Sequence, residues 1–332
     1  MAAAGSLVAS RGLLANKKSQ YASHDPKDLI RAMQGAHNYQ TTPFRPNYDL
    51  DADGLRKNIA YHADSDATEN ATIVVGAGLG EFFTLDPDEQ KAMAQAAVAG
   101  AKGRMPVVVG AGGGYKLALQ TARNAQEAGA QAILLFSPAY GSESADGAYE
   151  YFRDVARSVR IGVILYPRGK EAYWPDVIRR LAELPNVIGF KDASGGVEVG
   201  KALGSLIPDR FLWIAEGETH AVQALPAGAR AYTTAVATFV PRACSEFCKH
   251  GVAGKLAAMN ELLTNRIEPV AKVRGHKPGY GISGIKVALE ALGRAGGPVR
   301  PPGTQVLKED RPKIAEIARK YSEEQKLVSR KA

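Results

Sequence analysis

Two side chains at the ends of apolar runs carry the chemistry in this sequence. In NVIGFKDASGG, residues 186–196, a run of β-forming residues ends on Lys191 before the chain turns polar. An isolated strand-end lysine is most often a solvated one. Held in an apolar mouth, however, a lysine amine has its charged form disfavoured and becomes a nucleophile toward carbonyls. Tyr166 ends a similar run, IGVILYP (161–167), one unit earlier, and a phenol beside such an amine can relay protons. Thr233 and Thr234 close RAYTTAV (230–236) and offer hydroxyls, although threonine is also a good strand former. The turn GAGLGEFF (76–83) places Gly78, Leu79, Gly80 and Glu81 after another run. Glycines there let backbone N–H groups approach a substrate carboxylate closely, or simply permit a tight turn at positive φ. The dinucleotide pattern GxGxxG is not matched, because Glu81 stands where the third glycine belongs. GAGGG (110–114) reads as structural, and the six histidines show neither HExxH spacing nor a Ser-His-Asp constellation.

Positioning these groups requires a repeating scaffold. Eight apolar or β-branched runs, at 35–44, 71–78, 106–112, 132–138, 161–167, 186–191, 210–217 and 230–236, alternate with amphipathic stretches. Residues 85–101 open with acids and a proline near the first turn, and 115–130 close on Gly129, so both carry helix start or stop signals. Strand-helix alternation of this kind builds α/β folds, and eight units fill the roughly 250 residues of a (β/α)8 TIM barrel, with chemistry at the carboxyl ends of the strands. The expected organisation is a flexible leader over 1–30, the barrel over 31–243 and a C-terminal helical extension over 244–332.

Composition narrows the partners. The chain has 332 residues, 45% hydrophobic and 23% charged, which is globular, and a net charge of +8. The basic residues are scattered, without the stripe and interleaved aromatics of a nucleic-acid binder, so an anionic small molecule is the expected partner. Cys244 and Cys248, in CSEFC, lack a second Cys or His pair at zinc spacing and read as reduced core thiols. No apolar segment reaches the roughly 18 residues of a membrane span. The first residues lack a basic region before a weak apolar stretch, although a transit peptide shares their Ala- and Ser-rich, acid-poor composition. A soluble, cytoplasmic protein is expected.

GEFFTLDPDE, GFKD, TTAVATFVP, KPGYGISGIKVAL and GPVRPP together carry a family resemblance over about residues 35–305. The chain resembles the dihydrodipicolinate synthase and N-acetylneuraminate lyase superfamily of Schiff-base-forming barrels, and within it the 5-dehydro-4-deoxyglucarate dehydratase branch. The resemblance implies that Lys191 forms an imine with a 2-keto acid, that Tyr166 relays protons, and that the turn 78–81 binds the carboxylate. It also implies that Arg168 meets the distal carboxylate of a diacid. No metal or organic cofactor is implied, and the family's habit is a homodimer or homotetramer. Leu79 replaces the branch's threonine and Pro167 an asparagine, which removes a hydroxyl donor from the carboxylate turn. A pyruvate-dependent aldolase and a sugar-acid-binding barrel without turnover therefore stand as alternatives to the dehydratase.

Overall fold

The computed structural model of the protein describes residues 25–64, 71–138, 144–167, 174–206 and 211–323. Eight strands close into a parallel barrel in sequence order: β1 (Gly35–Tyr39), β2 (Ala71–Val75), β3 (Val107–Ala111), β4 (Ala132–Phe136), β5 (Gly162–Tyr166), β6 (Val187–Asp192), β7 (Leu212–Ala215) and β8 (Ala231–Thr234). Each lies within or one residue beyond an expected run, and the expected (β/α)8 barrel is the observed fold. The helices are α1 (Pro26–Ala32), α2 (Ala52–Ala63), α3 (Pro87–Ala101), α4 (Tyr115–Glu127), α5 (Ala145–Arg157), α6 (Trp174–Leu181), α7 (Glu198–Leu206), α8 (Gly217–Ala227) and α9 (Pro241–Val252). Then follow α10 (Leu256–Leu262), α11 (Glu268–Gly275), α12 (Ser283–Ala291) and α13 (Arg311–Tyr321). The expected domain boundary at 244 falls inside α9, the helix that follows β8. The leader's 1–24 and the last residues, 324–332, lie outside the described residues.

Local chemistry explains the element boundaries. Pro87 starts α3 behind a reciprocal capping box, in which Asp86 accepts from the Glu89 N–H and Glu89 accepts from the Asp86 N–H. Gly129, at φ +89°, reverses the chain after α4 into β4. Most strand residues are apolar on both faces, as suits parallel strands buried between helices and a barrel interior. Val74, Val108, Leu134, Ile164, Ile188, Leu212, Ile214 and Ala231 form the interior cluster, while their alternates Val75, Val109, Leu135, Leu165, Phe190 and Trp213 join the layer facing the helices. Leu29, Ile30 and Met33 join the interior cluster from the chain just ahead of β1. His37 beside them is lowered by burial to about 4, and its neutral ring contacts the Met33 carbonyl.

One irregularity in this alternation decides the site. Val163 pairs with Val187, but Ile164 pairs with Gly189 and Leu165 with Phe190, so β6 carries one extra residue opposite β5. Ile188 and Tyr166 point inward and Phe190 outward. Strict alternation from Ile188 would send Lys191 to the helix face; the extra residue turns it inward, level with Tyr166. Gly189 permits this, because a Cβ there would overlap the Leu212 carbonyl and side chain. Gly189→Ala is therefore expected to cost about 1–3 kcal/mol in denaturant unfolding and to disable any reaction that uses Lys191. Parental stability together with parental activity would show that the bulge does not need glycine.

Candidate active site

Lys191, next to the last residue of β6, is 5% exposed. Its Nζ lies 3.8 Å from the centre of the Tyr166 ring and 5.3 Å from that of Tyr39. The same Nζ donates to Glu216 Oε1 at 2.6 Å, and the Tyr166 hydroxyl donates to that same oxygen at 2.9 Å. The site thus has an amine, a phenol and a carboxylate in mutual contact at the carboxyl ends of β5, β6 and β7. Burial raises the Tyr39 phenol well above its ordinary value, with the neighbouring Tyr166 and Glu216 adding to it.

Glu216 was not singled out by sequence reasoning. The available signal was the alternation of β7: Leu212 and Ile214 point inward, so the next inward position is Glu216. Its backbone is held firmly. The Glu216 N–H reaches the Asp192 carbonyl at 3.2 Å and His220 Nδ1 at 3.3 Å. Gly217 follows at φ +71°, and its N–H donates to Thr233 Oγ1 at 2.9 Å. Asp192 steadies the strand end by accepting from the Ser194 N–H and from Trp213 Nε1.

Lys191, Tyr166, Glu216, Gly78, Leu79, Thr233 and Thr234 line one cavity of about 250 Å³, together with Phe83, Phe136, Glu218 and Arg274. Gly80 does not line it. A Cβ on Gly80 would press on the Gly76 and Ala77 nitrogens and the Gln40 carbonyl, and its own carbonyl accepts from Thr42 Oγ1 at 2.7 Å. Thr234 is nearly enclosed, and its Oγ1 accepts from the Val236 N–H. Arg168 lies outside the described residues. Arg274, an exposed residue on α11, is the cation besides Lys191 among the described lining residues.

Glu81 turns away from the cavity chemistry. It sits at φ +54° and pairs at 2.5 Å with Lys286 of α12, a fully buried lysine that also donates to the Pro298 carbonyl at 2.7 Å. Burial lowers Lys286 to about 8. The other oxygen of Glu81 accepts from the Arg300 N–H at 2.9 Å. The C-terminal helices thus brace the turn 78–81 from behind. Cys244 and Cys248 are unbridged and buried on α9, and burial pushes the Cys248 thiol up to about 12. Among the described residues, no cluster of three or more His, Cys, Asp or Glu is arranged to hold a metal ion, and no helix is long and apolar enough to cross a membrane.

Fold and site together define a (β/α)8 barrel with a buried lysine and a phenol on adjacent strands at its C-terminal mouth. The chain belongs to the dihydrodipicolinate synthetase family, whose model matches residues 32–321. It is 32% identical over 300 residues to the "Probable 5-dehydro-4-deoxyglucarate dehydratase" of Bradyrhizobium diazoefficiens, covering 89% of this chain and 95% of that protein. The Rhizobium meliloti protein of the same name is 35% identical over 286 residues, covering 85% and 93%. Among solved structures, dihydrodipicolinate synthase from Oceanobacillus iheyensis superposes with a TM-score of 0.79 at 24% identity, covering 90% of this chain and 99% of that one. The enzyme of that name from Bacillus clausii gives 0.77 at 25% identity, covering 88% and 99%.

Removing one partner of a buried ion pair strands the other charge. Lys286→Met should therefore destabilise the fold by about 3–5 kcal/mol in denaturant titrations, and adding Glu81→Gln should recover much of it. A single variant as stable as the parent would show that the pair does not brace the turn.

Proposed function

We propose that the protein is a Schiff-base-forming hydro-lyase that converts 5-dehydro-4-deoxyglucarate to 2,5-dioxopentanoate with loss of water and CO2. The observation that carries the reading is Lys191 Nζ, buried in the cavity and 3.8 Å from the Tyr166 ring. The names of the relatives, over most of the chain, support the substrate. In this reading Lys191 condenses with the 2-keto carbon and Tyr166 moves the protons that this requires. The resulting iminium draws electrons from the neighbouring carbon, which loses a proton, and the hydroxyl one carbon further is expelled as water. The distal carboxylate then leaves as CO2, its electron pair passing through the conjugated chain to the imine nitrogen. Hydrolysis frees Lys191 and the product.

The N–H groups of the turn at Gly78 and Leu79 receive the carboxylate beside the ketone, and Leu79 supplies no hydroxyl to help them. Thr233 and Thr234 line the same cavity from β8. For the distal carboxylate we assign Arg168, with Arg274 at the cavity edge as the second cation; a guanidinium grips a carboxylate with two parallel hydrogen bonds. A homodimer or homotetramer working in the cytoplasm completes the proposal. The two unbridged thiols suit that compartment, and the half-exposed rings of Phe83 and Tyr115 are apolar surface of a kind that subunit contacts cover.

Borohydride added with the keto diacid should trap an adduct on the Lys191 peptide, and Tyr166→Phe should slow turnover by about 10²–10⁴. Labelling of a different lysine, or turnover by the phenylalanine variant within about threefold of the parent, would overturn these roles. Adducts with pyruvate that condense with an aldehyde, without dehydration of the diacid, would establish an aldolase instead.

Recognition of the distal carboxylate is checked by kcat/KM for the diacid and its mono-acid analogue. Arg168→Lys and Arg274→Ala should each penalise the diacid selectively, by about tenfold or more for a lost charged hydrogen bond of about 1.5–3 kcal/mol. Equal losses on both substrates would rule that role out.

A further inference from the structure

We infer that Glu216 is the catalytic base of this site, taking the proton that Lys191 must lose before it attacks and, after imine formation, the proton from the adjacent substrate carbon. The inference rests on the imine reading above and goes beyond it, since that reading needs only Lys191 and Tyr166.

A protonated lysine has no lone pair to offer a ketone, so some neighbour must accept its proton. Among the described residues, Glu216 is the carboxylate in contact with Lys191 Nζ, at 2.6 Å, a distance that already suits proton transfer. The same oxygen takes the Tyr166 hydroxyl at 2.9 Å, so one acceptor serves both groups. Three features separate this pair from a structural ion pair. The side chain of Glu216 lines the cavity and is 40% exposed, whereas that of Lys191 is 7% exposed. The backbone of Glu216 is held by the Asp192 carbonyl and by His220, which fixes the strand end from which its carboxylate reaches Lys191. In addition, the turn at Gly78, Leu79 and Gly80 presents no side-chain hydroxyl across the cavity, which leaves the β7 carboxylate as the observed acceptor for the phenol.

The protons balance. Glu216 takes one from the Lys191 ammonium, and the freed nitrogen pair forms the C–N bond while the carbonyl pair moves onto oxygen. Tyr166 protonates that oxygen and regains a proton from the new ammonium, leaving a neutral carbinolamine. Glu216 returns its proton to the departing hydroxyl; water leaves and the nitrogen pair closes the iminium. The carboxylate, ionised again and beside a cation, then accepts the proton of the adjacent carbon, giving the neutral enamine.

The test compares the parent with Glu216→Gln and Glu216→Ala in stopped borohydride trapping with pyruvate, across pH 5 to 9. Other titratable groups around Glu216 are Lys191, Tyr166, Tyr39, His220, Asp192, Glu218 and Arg274, all unchanged in the variants. Imine formation should slow by about 10²–10⁴ in Glu216→Gln, with the acidic limb of the pH–rate profile moved to higher pH, where the Lys191 amine loses its proton to solvent, and with the circular dichroism of the folded protein kept at the assay temperature. Added formate should restore part of the rate in Glu216→Ala, because a small carboxylate can enter the space left behind; a purely structural role predicts no such rescue. Trapping in Glu216→Gln at a rate within threefold of the parent, or an unchanged acidic limb, would overturn the assignment while leaving the imine reading intact. A parent that traps no keto acid overturns both.

Discussion

The site depends on one extra residue in β6. Side chains of a strand alternate between faces, so a one-residue change in pairing moves every later side chain to the other side. Between Val163 and Ile164 the partner on β6 jumps from Val187 to Gly189, and that jump brings Lys191 inward beside Tyr166. The same register sets Lys191 opposite Ile214 and Asp192 opposite Ala215, so Glu216 comes next on the same mouth. Three chemical groups from three strands meet because a single glycine leaves room for the Leu212 backbone.

Two lysine–carboxylate pairs lie near this mouth, and their surroundings separate their roles. Lys286 and Glu81 are sealed: their side chains are 0% and 4% exposed, and both have further backbone partners. A pair closed in this way offers no atom to a ligand, and its effect is to hold the turn 78–81. Lys191 and Glu216 meet at similar distance, but their carboxylate opens on the cavity and is shared with a phenol. Charge opposition is common to both; an opening on the cavity belongs to one.

The C-terminal segment is part of the site's support, beyond filling space on the barrel. Lys286 of α12 reaches the turn after β2, and the Arg300 guanidinium pairs with Glu89 of α3 and takes the Thr84 and Tyr48 carbonyls. Arg274 of α11 comes to the cavity edge. Gly284 lets α12 lie against α11, since a Cβ there would overlap the Val273 carbonyl. The segments KPGYGISGIKVAL and GPVRPP, which carried part of the family resemblance, are thus the ones that hold the loop face of the barrel together.

The barrel was legible because its cause is local and repeated. Eight apolar runs alternating with amphipathic stretches leave few alternatives to a closed parallel sheet, and the observed strands lie within or one residue beyond those runs. Lys191 and Tyr166 were legible for the same reason, as polar residues ending apolar runs. Glu216 was not, because IAEGE contains two acids at a helix start, and either reads as an ordinary first-turn residue. Glu81 looked like a member of the carboxylate turn, and only its contact with Lys286, some 200 positions later in the chain, draws it off to a supporting role. The sequence by itself determined the fold and the two residues that interrupt its periodicity. Which carboxylate meets Lys191 was decided by tertiary structure, since pairing register and burial are properties of strands brought together and leave no mark in the spacing of residues along one of them.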